Sequence, residues 1–142
     1  YTLSLHDALP IYMAVLTQLA LNNGSYAGKT YWKSVVESQF IAPLSSDDSY
    51  GLGWRRVGAK HSYAPFGHYA SNLAYGHTGW TGTVTLIDPK YNLIIVLLTN
   101  KKHSTYRNGQ FAGDGFATGK YAPIIDLIYQ ALPETQSFPT TK

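Results

Sequence analysis

The chain has 142 residues, 44% of them hydrophobic and only 13% charged, with a formal net charge of +3 at pH 7. This suits one globular domain with a real core. The absence of cysteine excludes disulfides and thiolate metal sites, and the scattered basic residues, paired only at Arg55-Arg56 and Lys101-Lys102, offer no stripe for nucleic acid.

The first eleven residues, YTLSLHDALPI, read codon for codon as the translation of a common short-read sequencing adapter. The alternative is a native helix lead-in, with Ser4 as a cap and His6-Asp7 in the first turn. Residues 1–11 are set aside as an artefact, like a fusion scar. The natural protein is expected to continue upstream.

Tyr12 to Asn22 reads as a helix, with Met13, Leu16, Leu19 and Ala20 on one face. Asn22-Asn23-Gly24 stops it. Asn23-Gly24-Ser25 also fits the glycosylation acceptor pattern but reads better as a turn. Thr30 is placed as the cap of a second short helix running through Glu37 and ending before Pro43. Ser45 to Ser49 is a polar loop whose acids Asp47 and Asp48 are read as solvated.

Tyr50-Gly51-Leu52-Gly53-Trp54, continuing into Arg55-Arg56-Val57, reads as a strand relieved by glycine; no helix pattern follows to make it a dinucleotide loop. Residues 58–75 read as a long loop carrying His61 and His68, which share no metal-ligand spacing. Three strands follow, over Tyr75–Trp80, Thr83–Ile87 and Leu93–Thr99. Alternation of Val84 and Leu86 with Thr83 and Thr85 predicts a half-buried strand. The run Leu93–Leu98 is apolar on both faces, which predicts a central strand covered on each side. It is too short to span a bilayer. Asp88-Pro89-Lys90-Tyr91-Asn92 makes the turn of an antiparallel hairpin. Residues 104–120 read as a glycine-rich loop without a phosphate-cradling pattern. A last helix is predicted over Ile124–Leu132, opened by Pro123, with Ile124, Leu127, Ile128 and Ala131 on its apolar face. Residues 133–142 read as a frayed tail. The order predicts an α+β (mixed) fold, an antiparallel sheet flanked by helices.

Tyr50-Gly-Leu-Gly-Trp54, Gly76-His-Thr-Gly-Trp-Thr-Gly82, Asp88-Pro89 and Leu98-Thr-Asn100 occur in that order. Together they resemble the C-terminal part of the serine β-lactamase and penicillin-binding-protein superfamily, nearest to its class C-like hydrolases. The resemblance covers most of residues 12–132. His77-Thr78-Gly79 stands where the family has Lys-Thr-Gly or His-Thr-Gly on the strand bordering the active-site cleft. Carried over, Thr78 donates to substrate, Gly79 leaves room for a substrate backbone, and the Trp80 amide contributes to the oxyanion hole. His77 replaces a permanently charged lysine by a side chain largely neutral at pH 7, which favours peptidase or esterase chemistry over strong β-lactam hydrolysis.

The resemblance implies a serine hydrolase working through an acyl-enzyme on a D-alanine-containing peptidoglycan or teichoic-acid-like substrate, at the cell envelope or outside the cell. It implies no cofactor and no metal. The family's nucleophile motif, Ser-x-x-Lys, occurs nowhere in the chain, and the second motif, Tyr-x-Asn, does not occur upstream of residue 76, where the family has both. The chain is therefore expected to hold one wall of a site, inactive alone, whose nucleophile lies on a missing N-terminal part. Two other readings stay open: a non-catalytic substrate-binding relative, and an unrelated α+β domain. Trp54 and Tyr75 read as packing aromatics and His103 as a surface residue.

Overall fold

In a computed structural model, the structure describes residues 5–58, 64–115 and 120–133, with side chains from Pro10 onward. Helix α1 (Leu5–Leu21) leads into a short hairpin, β1 (Ser25–Tyr26) and β2 (Lys29–Thr30), then helix α2 (Ser34–Ile41). A four-stranded antiparallel sheet follows in the order β3 (Arg55–Arg56), β4 (Tyr75–Thr78), β5 (Thr83–Asp88), β6 (Leu93–Leu98). A second hairpin, β7 (Tyr106–Arg107) and β8 (Gln110–Phe111), precedes helix α3 (Tyr121–Gln130). This is the α+β arrangement of an antiparallel sheet flanked by helices.

The sheet has a core on each face. Toward α3, Val84, Leu86 and Ile95 meet Phe66, Tyr121, Ile125 and Tyr129. Toward α1, Tyr75 and Ile87 meet Ala20, with Ile41, Trp54 and Ile94 around them. Strand β5 is therefore buried on both faces, not one: Thr85 is buried and Ile87 fully so.

The run predicted to be the central strand lies at the end of the described sheet. Strand β5 lies between β4 and β6, while β6, the most apolar, pairs only with β5 among the described residues. Most of its side chains are only half-buried. The apolar run on both faces foretold a strand with neighbours, and the described residues supply one.

Local signals explain the other differences. Helix α1 begins earlier than expected and carries Pro10 inside it. Its C-terminus is a Schellman motif: the Gly24 N–H donates to Leu19 C=O (2.8 Å) and that of Asn23 to Ala20 C=O (3.0 Å), with Asn23 at φ 53°. Thr30 caps nothing; it pairs with Ser25, and α2 starts behind Lys33 without a side-chain cap. The stretch 50–55 is a tight turn, with Tyr50 bridged to Arg55 and the Gly51 N–H donating to Trp54 C=O at 2.9 Å. The glycine-rich loop contains a hairpin turned at Asn108-Gly109, both at positive φ, an Asn-Gly signal that the surrounding glycines obscured. In α3 the buried face is Tyr121, Ile125 and Tyr129, while Leu127 is exposed. The aliphatic residues suggested a face rotated from the true one because they outnumber the tyrosines.

One polar group joins these parts. The Asp88 carboxylate, fully buried at the end of β5, accepts from Ser71 Oγ (2.6 Å), Ser71 N–H (2.9 Å), Lys90 N–H (3.1 Å) and Tyr129 Oη (2.7 Å). The loop before β4, the β5–β6 turn and α3 thus share one acceptor. A buried carboxylate is tolerated only when its lone pairs are satisfied. On the opposite face, buried Glu37 of α2 accepts from Tyr75 Oη (3.1 Å) and Trp32 Nε1 (2.9 Å).

Removing the Asp88 carboxylate would orphan several buried donors, each costing ~1–3 kcal/mol. Asp88→Ala should lower stability by more than ~3 kcal/mol in urea titrations; a change below ~0.5 kcal/mol would contradict this role. Burial, then hydrogen bonding to Asp88, pushes the Tyr129 phenol above its ordinary range, and burial with Glu37 does the same for Tyr75. Both are held neutral in the fold. Their contribution is fully present below the free tyrosine pKa of about 10 and is lost as pH climbs toward the folded values. Circular dichroism should show loss of structure above about pH 10, and Tyr129→Phe should flatten that dependence; an unchanged slope would contradict it. The apolar edge of β6 should make the chain self-associate with rising concentration in sedimentation runs, less so in Val96→Lys, which sets a charge on that edge. A strict monomer at all concentrations would contradict the edge placement.

Candidate functional site

Strand β4 is held on its inner side by β5, with Tyr75 opposite Ile87, Gly76 opposite Leu86, His77 opposite Thr85 and Thr78 opposite Val84. On its outer side β3 reaches only Tyr75 and Gly76. The chain turns away at Trp54, so among the described residues no strand continues β3 alongside His77 to Gly79. The antiparallel ladder alternates. The Gly79 N–H donates inward to Thr83 C=O (2.8 Å), and the outer pairing falls on Ala74 and Gly76. By the same alternation the backbone groups of Thr78 face outward.

The four residues joining β4 to β5 are pinned from within. The Gly82 N–H donates to Gly79 C=O (3.1 Å), the Lys101 N–H to Thr81 C=O (2.9 Å), and Thr99 Oγ1 to Gly82 C=O. Between these bonds the Trp80 N–H donates to no acceptor among the described residues. The Trp80 side chain is 71% exposed. His77 is exposed on the face it shares with Tyr75, and Thr78 is half-buried on the other.

The glycines have an internal explanation. A Cβ on Gly79 would strike Thr83 Oγ1, one on Gly76 the Thr85 carbonyl oxygen of β5, and one on Gly82 Thr99 Oγ1. Gly82 also sits at φ 119°, which favours glycine. These contacts lie in the direction a Cβ would take and account for the glycines from within the chain.

The surroundings of Trp80 were not foreseen. Its ring meets Phe111 of β8 edge-on, with centroids 5.9 Å apart. Lys102 Nζ lies 5.0 Å from the Trp80 ring and 4.8 Å from Phe111. The same ammonium pairs with Asp114 at 2.8 Å, and Lys101 Nζ lies 3.3 Å from that carboxylate. Hydrogen bonding from Lys102, with Lys101 beside it, holds the Asp114 carboxyl below its ordinary range. Only the Asn108-Gly109 turn signalled a hairpin here; that it folds back onto Trp80 is a tertiary fact.

Other candidates lie elsewhere. His68 is hydrogen-bonded through Nδ1 to Asp126 of α3 at 2.8 Å, and its N–H donates to the same carboxylate at 2.7 Å. His61 lies outside the described residues. His103 is exposed, its N–H donating to Asn100 Oδ1. Tyr75 is buried and meets Trp54 edge-on at 5.5 Å. Asp47 closes a local turn by accepting from Ser49. The Tyr-x-Asn spacing occurs once, at Tyr106–Asn108, downstream of β4 and on the turn of the β7–β8 hairpin. Among the described residues no cluster of His, Asp or Glu could hold a metal, and no helix is long and apolar enough to cross a membrane.

Comparison with known proteins fits this geometry. A family model described as Beta-lactamase matches residues 9–115. An N-acetylmuramyl-L-alanine amidase of Bacillus subtilis (strain 168) is 49% identical over 125 residues, 84% of this chain and 28% of the relative. A putative D-alanyl-D-alanine carboxypeptidase of Escherichia coli (strain K12) is 39% identical over 127 residues, 86% of this chain and 29% of the relative. One of Salmonella typhi is 40% identical over 125 residues, with 84% and 29% covered. The chain thus spans less than a third of the length of these relatives. With the matched segment running through the His77-Thr78-Gly79 strand and both its neighbours in the sheet, the chain belongs to the Beta-lactamase family.

Proposed function

We propose that this chain supplies one wall of a serine hydrolase site that cleaves peptide, amide or ester bonds of a peptidoglycan-like substrate at the cell envelope. The attacking serine resides on polypeptide outside these residues, since no Ser-x-x-Lys occurs here. The names of the relatives, a muramyl-alanine amidase and D-alanyl-D-alanine carboxypeptidases, support the substrate class. The observation that carries the reading is the Trp80 amide, which like that of Thr81 has no acceptor among the described residues, while the flanking Gly79 and Gly82 amides are bonded.

That amide would donate to the oxygen of a tetrahedral intermediate as it gains charge. An N–H already fixed by a pinned turn needs no reorganisation when the charge develops, which is why such a donor contributes ~3 kcal/mol to lowering the barrier. The substrate backbone would lie along the outer side of β4, in the manner of an added strand. Thr78 would donate its hydroxyl to the substrate. His77, exposed on the same strand, would offer a hydrogen bond where a lysine would offer a full charge.

The 142-residue chain alone should hydrolyse neither a chromogenic β-lactam nor a p-nitrophenyl ester above background. Turnover with covalent labelling of one of its serines would overturn the proposal. In the longer polypeptide bearing the nucleophile, Trp80→Pro deletes the N–H and should lower kcat by ~10²–10³ with little change in KM. A folded Trp80→Pro enzyme with undiminished kcat would equally overturn it.

A further inference from the structure

The face that Trp80 turns to solvent belongs to an aromatic group. Phe111 meets Trp80 on one side and Tyr106 on the other, the latter at 4.8 Å between centroids. Trp80 is 71% exposed and Tyr106 59%. Rings this large are seldom left in water together, and an exposed apolar patch of this kind marks a binding surface. These rings are also fixed. Lys102, held by Asp114, lies against both Trp80 and Phe111, so the indole is braced although it is exposed.

Phe111 continues into a hollow of about 490 Å³, lined also by Thr105, Arg107 and Gln110. That volume lies in the range of small-molecule sites, ~300–1,000 Å³. The chemistry of its wall is mixed: a hydroxyl, a guanidinium and a carboxamide stand around an aromatic ring. An acyl chain or a bare phenyl group would cover the ring and make no use of those polar groups. A simple anion would engage Arg107 and leave the exposed rings uncovered. A pyranose ring suits both halves. Its axial C–H face lies flat on an aromatic ring, and its rim of hydroxyl and acetamido groups calls for fixed donors and acceptors at the edge.

We infer that Trp80, Phe111 and Tyr106, with Arg107 and Gln110 at the rim, form a subsite for an N-acetylhexosamine ring of the substrate. The same residue thereby holds the sugar with its ring and faces the scissile group with its amide. The inference rests on the reading of β4 given above for which end of the substrate lies here. It also predicts specificity: substrates still joined to their sugar are held better than the free peptide.

Two probes separate the subsite from the reading it rests on. The ¹⁵N-labelled chain is titrated with N,N′-diacetylchitobiose and, separately, with acetyl-D-alanyl-D-alanine. The disaccharide should shift the Trp80 indole N–H and the Gln110 and Arg107 side-chain signals, and leave those of Trp32 and Trp54 in place. Phe111→Ala and Arg107→Ala should each weaken that response at least tenfold while the spectrum stays dispersed. The peptide should shift the backbone amides of Thr78 to Trp80. If the peptide binds and the disaccharide leaves Trp80 unmoved, the sugar subsite is wrong and the reading of β4 survives. If the disaccharide binds and the peptide does not, the subsite stands and the reading of β4 fails. Silence from both overturns both.

Discussion

A fully buried carboxylate organises this fold. Asp88 ends β5, a strand buried on both faces, and its oxygens gather donors from the loop before β4, from the turn into β6 and from α3. Each of those segments has other reasons to be near the sheet, since Phe66, Tyr121 and Ile125 contribute to the apolar core. Apolar contact is non-directional, however, and does not fix register. Hydrogen bonds to a single buried acceptor do, and they fix where the strands begin and end. The register of β4 against β5 follows, and with it the position at which β4 runs past the end of β3.

That last offset creates the candidate site. A β-strand paired along both edges offers no backbone to a ligand, and an unpaired edge invites aggregation. Here β3 covers β4 for two residues and then turns away. The turn that follows is tied internally at Gly79 and Gly82, so its geometry is set before any substrate arrives. The three glycines of the motif serve this construction. Their missing Cβ atoms let Thr83, Thr85 and Thr99 close in on the strand and its turn. Rigidity at an oxyanion donor has direct value, because a preorganised dipole stabilises the developing charge without moving.

Much of this was legible in the residues themselves. The hairpin around Asp88–Asn92 was readable because apolar alternation stops at a proline-containing turn, and the structure places β5 and β6 there. His77 to Trp80 stood out because glycine and threonine crowd a strand-forming stretch. What escaped was whatever depends on partners distant in sequence. An apolar run cannot reveal whether a strand is central or at an edge, so Leu93–Leu98 was given the place that β5 holds. Tyrosines count poorly in an aliphatic face, so Tyr129 was left out of the buried face of α3 although its hydroxyl finds Asp88. The β7–β8 hairpin was announced by Asn108-Gly109, but nothing local says that Phe111 will reach Trp80 across the fold.

The central claim is that the Trp80 amide stands open, as does that of Thr81, in a turn whose Gly79 and Gly82 amides are bonded. Amide hydrogen exchange, resolved by residue, tests it directly. Gly79 and Gly82 should be protected by their bonds to Thr83 and Gly79, while Trp80 exchanges near the rate of an unstructured peptide. Protection of Trp80 comparable to that of its two glycine neighbours would contradict the account.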